Sequence, residues 1–323
     1  MVAFEEIIRQ IEQSVRSLVF NDPPRSLFEP VTYTLSLGGK RIRPALTLMA
    51  YNIYKEDIAS AMDVALGLEV FHNFTLLHDD LMDEADVRRG KPTVHKAWNA
   101  NTAILSGDAM LIASYGLMAK ADKEHLKPVL DLFTQTALGI CGGQQYDMEF
   151  ETRNDVSEEE YIEMIRLKTA VLLACALKMG AILADAPEED AEHLYQFGIA
   201  IGLAFQLQDD LLDVYGDPKT FGKNIGGDIL CDKKTFLLIN AFKRSDAGQK
   251  EVLERWMGTS ANPQEKIAAV TQIYDQLQLK RLSEEKIEAY FAEAMSHLEA
   301  LKVEKGKLEV LKEVSHLLMN RKS

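Results

Sequence analysis

Residues Ile58 to Asp83 read IASAMDVALGLEVFHNFTLLHDDLMD. Apolar side chains recur at i, i+3, i+4 and i+7, and the run then ends in three acids, Asp79, Asp80 and Asp83. That period belongs to a helix packed against a core, and it predicts one helix over the whole stretch. The same period returns over Ser157 to Ala184 and over Ala191 to Val214, and Ser283 to Asn320 reads as amphipathic helices. Alternating Val/Ile/Thr runs that signal sheet are missing, as is any solenoid repeat. The chain breakers stand alone, at Pro23-Pro24, Gly38-Gly39, Gly90, Gly142-Gly143, Gly216 to Gly227 and Gly258 to Pro263, with no Ser/Pro/Gly-rich linker. An all-α fold follows: a single-domain helical bundle, residues 1–323, around a central cavity.

Composition agrees with that reading. Of 323 residues 47% are apolar, ample for a large core, while 19 glycines and 9 prolines are too few for a disordered or fibrous chain. Fifty acids against 36 bases leave a net charge of −14. With no block of Lys and Arg, that balance argues against nucleic-acid binding, where clustered cations replace condensed counterions. Cys141, Cys175 and Cys231 are odd in number and form no CxxC, so neither a disulfide framework nor a zinc site is expected. The start, MVAFEE, lacks the cations of a signal peptide, and the longest apolar run, Ala170 to Leu177, is too short to span a bilayer. The expectation is a cytoplasmic protein without a transmembrane segment.

The acidic end of the first stretch has a second copy in FQLQDDLLD, Phe205 to Asp213. Both are DDxxD: Asp79, Asp80, Asp83 and Asp209, Asp210, Asp213. On a helix i and i+4 share a face with Cβ atoms about 5–6 Å apart, so Asp79/Asp83 and Asp209/Asp213 converge and repel unless a cation sits between them. One such triplet alone reads as a solvated helix end. Two, each closing an apolar helix, point to a hard cation of the Mg²⁺ type. The twelve-residue loop of an EF-hand is absent from both.

Basic residues gather at particular breaks. Lys40, Arg41 and Arg43 lie in GGKRIRP, where a glycine turn meets a helix opened by Pro44; Arg88 and Arg89 lie in RRGKP, just beyond the first motif. Lys223 lies in FGKNIGGD, and Lys233 follows. Each cluster alone reads as a salt-bridged loop. Acids alone repel a diphosphate and bases alone leave the paired acids unexplained; a bridging Mg²⁺ reconciles them.

Taken together, these motifs resemble the trans-isoprenyl diphosphate synthases, head-to-tail prenyltransferases of the isoprenoid synthase fold, from about Leu35 to Thr235. The resemblance implies that Lys40, Arg43, His72 and Arg89 hold isopentenyl diphosphate and that Arg88 holds the allylic diphosphate. It assigns Mg²⁺, three ions, to Asp79, Asp83 and the second motif, with Asp80 in support. Gly143 to Asp147 resembles the family's GQxxD and Lys168-Thr169 its Lys-Thr pair. Lys168, Thr169, Gln206, Lys223 and Lys233 are implied around the allylic group, the first four as catalytic residues. Cys231-Asp232 stands where the family often has Glu-Gly. The chemistry implied is ionisation of dimethylallyl, geranyl or farnesyl diphosphate, attack by the isopentenyl double bond, and proton loss, in a homodimer. No histidine is nominated as base; His78 and His95 are expected to be hydrogen-bonded structural residues.

Product length turns on Phe74, five residues before Asp79 and so about 7.5 Å along the helix, with Phe71 a turn deeper and Thr75 beside it. The family resemblance implies that an aromatic at Phe74 blocks chain growth; Thr75 in place of a second aromatic, and a first motif without the two-residue insertion usual in bacterial farnesyl enzymes, resemble geranylgeranyl (C20) synthases, with farnesyl (C15) the alternative. Two other readings are a class I terpene cyclase or head-to-head synthase, disfavoured by Lys40, Arg43 and His72, and a non-catalytic partner subunit, disfavoured by intact aspartates in both motifs.

Overall fold

The Ile58 to Asp83 stretch is helical but not one helix. Ile58–Ala61 is a single 3₁₀ turn capped by Asp57, the α-helix runs over Met62–Met82, and Asp83 is its C-terminal cap. The computed structural model describes residues 2–217, 225–259 and 261–319, so Lys223 and Asn320 lie outside the described residues. In chain order the α-helices are α1 (Phe4–Ser17), α2 (Arg25–Ser36), α3 (Ile42–Tyr54), α4 (Met62–Met82), α5 (Val94–Ala97), α6 (Ala100–Met118), α7 (Lys123–Thr152) and α8 (Glu158–Ile165). They continue with α9 (Val171–Leu183), α10 (Glu188–Tyr215), α11 (Gly227–Leu230), α12 (Phe236–Arg244), α13 (Ala247–Trp256), α14 (Pro263–Gln276), α15 (Leu279–Glu299) and α16 (Glu309–Met319). A two-residue hairpin, β1 (Val87–Arg88) with β2 (Lys91–Pro92), is the one sheet among the described residues. No described helix is long and apolar enough to cross a membrane.

The chain divides into two compact units. The first comprises Met1–Thr134, Cys175–Leu194 and Lys302–Val310; the second comprises Gln135–Ala174, Tyr195–Leu301 and Leu311–Ser323. In the first, α4 is buried around most of its circumference, with Val64, Ala65, Leu66, Leu68, Val70 and Phe71 all inside, which is why it lacks a polar face. It packs closely on α6 because Gly107 carries no side chain: a Cβ there would lie 2.1 Å from Nε2 of His78. α1 adds Ile7, Ile11 and Val15 at helical spacing. In the second unit Tyr161, Leu207, Leu211, Phe236, Ile273 and Tyr274 form the core.

Three boundaries depart from the periodicity. Ser157 to Ala184 is not continuous: Ser157 opens α8 through a capping box with Glu160, and a π-turn at Arg166–Ala170 separates α8 from α9. One extra residue shifts the helical phase by about 100°, but Ala170 to Leu177 is apolar at every position and carries no phase to shift, so period alone misses the turn. α3 starts at Ile42, two residues ahead of Pro44, which sits in its first turn where its missing N–H is harmless. Finally, Ser283 to Asn320 resolves into α15, a 3₁₀ turn at Lys305–Leu308, and α16.

Candidate active site

In the first unit the acidic motif occupies the last turn of α4, and in the second it occupies the last turns of α10. Both lie at the negative end of a helix macrodipole, where a carboxylate is disfavoured and a cation favoured. The local sequence therefore supplies hard oxygen donors in a place that attracts a positive charge, the combination a divalent ion requires.

Within each motif the middle aspartate is committed to the protein. Asp80 is 5% exposed. Nε of Arg88 donates to both its oxygens at 2.8 and 3.0 Å, and Nη2 approaches Oδ1 at 2.6 Å. The same Nη2 stands 4.0 Å from Asp79. Arg88 is aimed by the hairpin, whose turn residues Arg89 and Gly90 both have positive φ, 52° and 73°, the pattern of a two-residue type I′ connection. The hydroxyl of Tyr33 donates to Pro92 O at 2.7 Å and that of Thr93 to Ala85 O at 2.7 Å, which pins the hairpin beside the motif. Asp83 is exposed and Asp79 half-buried.

The basic residues of this unit form a second cluster. Arg43 Nη1 lies 3.0 Å from Nε2 of His72. Desolvation first, then the charges of Arg43, Arg89, Arg88 and Arg41, hold the His72 imidazole well below its ordinary pKa, so it is neutral and does not compete with an anion for the arginines. Arg89 donates to the carbonyl of Gly38, linking the hairpin to the GGKRIRP turn. Burial, Arg41 and Arg88 also lower the Arg89 pKa, a sign of accumulated positive potential. Lys40 is exposed on the same turn.

Phe74, half-buried, packs against His78 at 4.8 Å and against Phe71 at 5.5 Å between centroids, and Phe71 meets Phe133 of α7 at 5.0 Å. Thr75 donates to His72 O at 2.8 Å within the helix. His78 is hydrogen-bonded, its Nε2 3.2 Å from Ile104 O. His95 departs from expectation: both its ring nitrogens are buried, and neither has a hydrogen-bond partner among the described residues. Its four-residue helix, α5, follows the hairpin directly.

In the second unit a hydrogen-bonded chain backs the motif. Thr169 donates to Gln206 Oε1 at 3.1 Å, Gln206 Nε2 donates to Asp210 Oδ1 at 3.0 Å, and Tyr161 donates to Asp210 Oδ2. Burial, with Asp228 nearby, pushes the Asp210 carboxyl up to about 7, against the pull of Lys233, Tyr161 and Gln206. Burial and Asp210 raise the Tyr161 phenol well above its usual range, so it stays a donor. Asp209 and Asp213 are half-buried. Asp213 Oδ2 accepts the backbone N–H of Asp228 at 2.9 Å, holding the start of α11. Lys168 and Thr169 sit in the π-turn; Lys168 Nζ is 2.5 Å from Asp147, which joins the two motifs GQxxD and Lys-Thr. Gly143 permits this approach, since a Cβ would lie 2.4 Å from the Lys168 nitrogen.

Some contributors have no sequence signal. Tyr161 reaches Asp210 across 49 residues. Buried Lys266 pairs with Asp232 at 2.7 Å and donates to Leu230 O and Thr259 O. Asp232 also accepts the Gly258 N–H at 2.7 Å, so the Cys231-Asp232 loop that leads to Lys233 has an anchor of its own.

With this geometry in hand, the family can be stated. The polyprenyl synthetase family matches residues 24–277, and the chain belongs to it. Among its relatives, a short chain isoprenyl diphosphate synthase of Methanocaldococcus jannaschii is 38% identical over 274 residues, 84% of this chain and 83% of that one. A crystal structure of a geranylgeranyl pyrophosphate synthase is 44% identical and superposes with a TM-score of 0.95 over 100% of both chains. A polyprenyl synthase of Caulobacter crescentus CB15, solved in complex with calcium and isoprenyl diphosphate, is 27% identical with a TM-score of 0.88, covering 99% of this chain and 96% of that one.

Proposed function

We propose that the protein is a short-chain trans-prenyltransferase, working as one isoprenoid synthase domain, that condenses isopentenyl diphosphate head-to-tail with dimethylallyl, geranyl or farnesyl diphosphate. The observation that carries this is the pairing, within one unit, of a carboxylate-ended helix with a cluster of arginines around a neutral histidine. One side suits a cation and the other an anion, as a metal-bound diphosphate and its co-substrate require.

Lys40, Arg43, His72 and Arg89 bind the isopentenyl diphosphate. Arg88, Lys168, Lys233 and, outside the described residues, Lys223 bind the allylic one. Mg²⁺, three ions, would be held by Asp79 and Asp83 and by Asp209 and Asp213, with Asp80 and Asp210 behind them. When bound, it supplies Lewis-acid stabilisation of the charge growing on the departing diphosphate. Thr169, Gln206 and the Lys168 carbonyl present dipoles to the allylic cation. The isopentenyl double bond then attacks C1, and a proton passes to the released diphosphate.

Phe74, backed by Phe71 and flanked by Thr75, stops growth at geranylgeranyl (C20) diphosphate, with farnesyl (C15) diphosphate the shorter outcome. The exposed apolar side chains Ile104, Leu105 and Ile112 on α6 support a homodimer, for which sedimentation at graded concentration is the check. We also place the protein in the cytoplasm, a reducing compartment that suits three cysteines outside any disulfide. The purified chain, given Mg²⁺, isopentenyl diphosphate and each primer in turn, is expected to extend at least one of them. Failure to extend any contradicts the proposal, and a cyclised hydrocarbon points to a cyclase instead.

A further inference from the structure

The GGKRIRP turn carries three cations within four residues, and they are not equivalent. Lys40 is exposed, whereas Arg41 takes a left-handed conformation, φ 49°, at the start of α3 and is only 3% exposed. Its Nε donates to Glu12 of α1 at 2.8 Å, its Nη1 to Glu69 of α4 at 2.6 Å, and its Nη2 to Leu35 O at the end of α2 at 2.9 Å. Glu69 is itself 2% exposed and accepts a second hydrogen bond from Asn73, one turn along, at 2.9 Å. Two residues beyond Arg41, Arg43 reaches His72, which lies three residues after Glu69 and so on the same face of α4.

The turn therefore meets α4 through two adjacent contacts of opposite character. Arg41 with Glu69 is a buried ion pair, with the partly exposed Glu12 as a second carboxylate on Arg41, and breaking such a pair leaves an uncompensated buried charge. Arg43 with His72 joins a cation to a neutral ring, which brings no charge of its own to the contact. The first contact fixes the backbone from which Lys40 and Arg43 project; the second presents the charge. Arg41 is too enclosed, and too occupied by three acceptors, to serve as a ligand.

We infer that Arg41 and Glu69 are positioning residues that set the aim of Lys40 and Arg43 at the diphosphate of the isopentenyl substrate. This rests on the proposed assignment of that substrate to Lys40, Arg43, His72 and Arg89. Misalignment by the loss of the pair weakens one substrate selectively: although Arg89 ties the hairpin to this turn through Gly38 O, the hairpin that aims Arg88 is also pinned by Tyr33 at Pro92 O and by Thr93 at Ala85 O.

The test is steady-state kinetics on both substrates, with melting temperatures, for Arg41→Lys, Glu69→Gln and the double variant Arg41→Met/Glu69→Met. Each is expected to raise KM for isopentenyl diphosphate about tenfold, equivalent to ~1.4 kcal/mol, with kcat and the allylic KM within about twofold of the parent. Removing both buried charges together is tolerated by stability, and Glu12, which loses its cation, is partly exposed to water, so the double variant should melt near the parent while its isopentenyl KM stays raised. A parental isopentenyl KM in the double variant overturns the inference, and so does a parallel rise in both KM values. Should the double variant not fold, the split between the two KM values in Arg41→Lys decides alone. Failure of the underlying assignment looks different: Lys40→Ala would then leave the isopentenyl KM unchanged.

Discussion

Asp80 and Asp210 hold the same place in motifs that read alike, yet the two units secure them by different means. Asp80 is gripped by a full cation, Arg88, through Nε to both oxygens and Nη2 to one. Asp210 is held by two neutral donors, Tyr161 and Gln206, with Lys233 contributing only through its field. The outer residues differ as well: Asp83 is exposed at the helix cap, whereas Asp213 is half-buried and holds the Asp228 amide. Charge steadies one motif and dipoles the other, and both leave the first and last carboxylates at the negative end of a helix.

Four sets of substitutions probe this difference between the two motifs and the helices that carry them. The largest effect belongs to the outer carboxylates: Asp79→Ala and Asp209→Ala should each lower kcat by about 10²–10³-fold, as losses of transition-state charge stabilisation do. Next come the middle residues' partners. Arg88→Ala strips a nearly buried carboxylate of its cation and should cost about 3 kcal/mol by denaturant unfolding, whereas Tyr161→Phe removes one neutral donor and should cost about 1–2 kcal/mol. Equal costs would erase the distinction between charge and dipole. Phe74→Ala should lengthen the product by at least one isoprene unit on chromatography, and an unchanged length removes Phe74 as the floor. The smallest effect concerns pH. His72 has a folded pKa well below its ordinary 6.5, so the unfolded chain binds the extra proton first. The stability this contributes is complete above pH ~6.5 and is lost as pH falls toward the folded value. His72→Asn should flatten that part of a melting-temperature profile.

Much of this was legible in the sequence because it is local. Asp79/Asp83 and Asp209/Asp213 follow from i, i+4 spacing, and the helices that carry them follow from the apolar period. What resisted was non-local or compensated. The inward turn of Arg41 depends on Glu12 and Glu69, 29 and 28 residues away, so three adjacent cations gave no hint which one was structural. The π-turn beneath Lys168 and Thr169 adds one residue to a helix, and the shift leaves no mark because Ala170 to Leu177 is apolar on every face. The sequence reads His95 as hydrogen-bonded, yet both its ring nitrogens are buried without a partner among the described residues, since a sequence does not tell which buried polar atom finds one.

The most direct test sets three proteins side by side: the parent, Asp79→Ala and Asp209→Ala, each assayed for incorporation of labelled isopentenyl diphosphate into an allylic primer with Mg²⁺ and again with a chelator. Extension is expected from the parent with Mg²⁺ only, with a collapse of similar depth in both variants although their motifs lie in different units. Parental turnover in either variant, or extension that survives the chelator, would contradict this expectation.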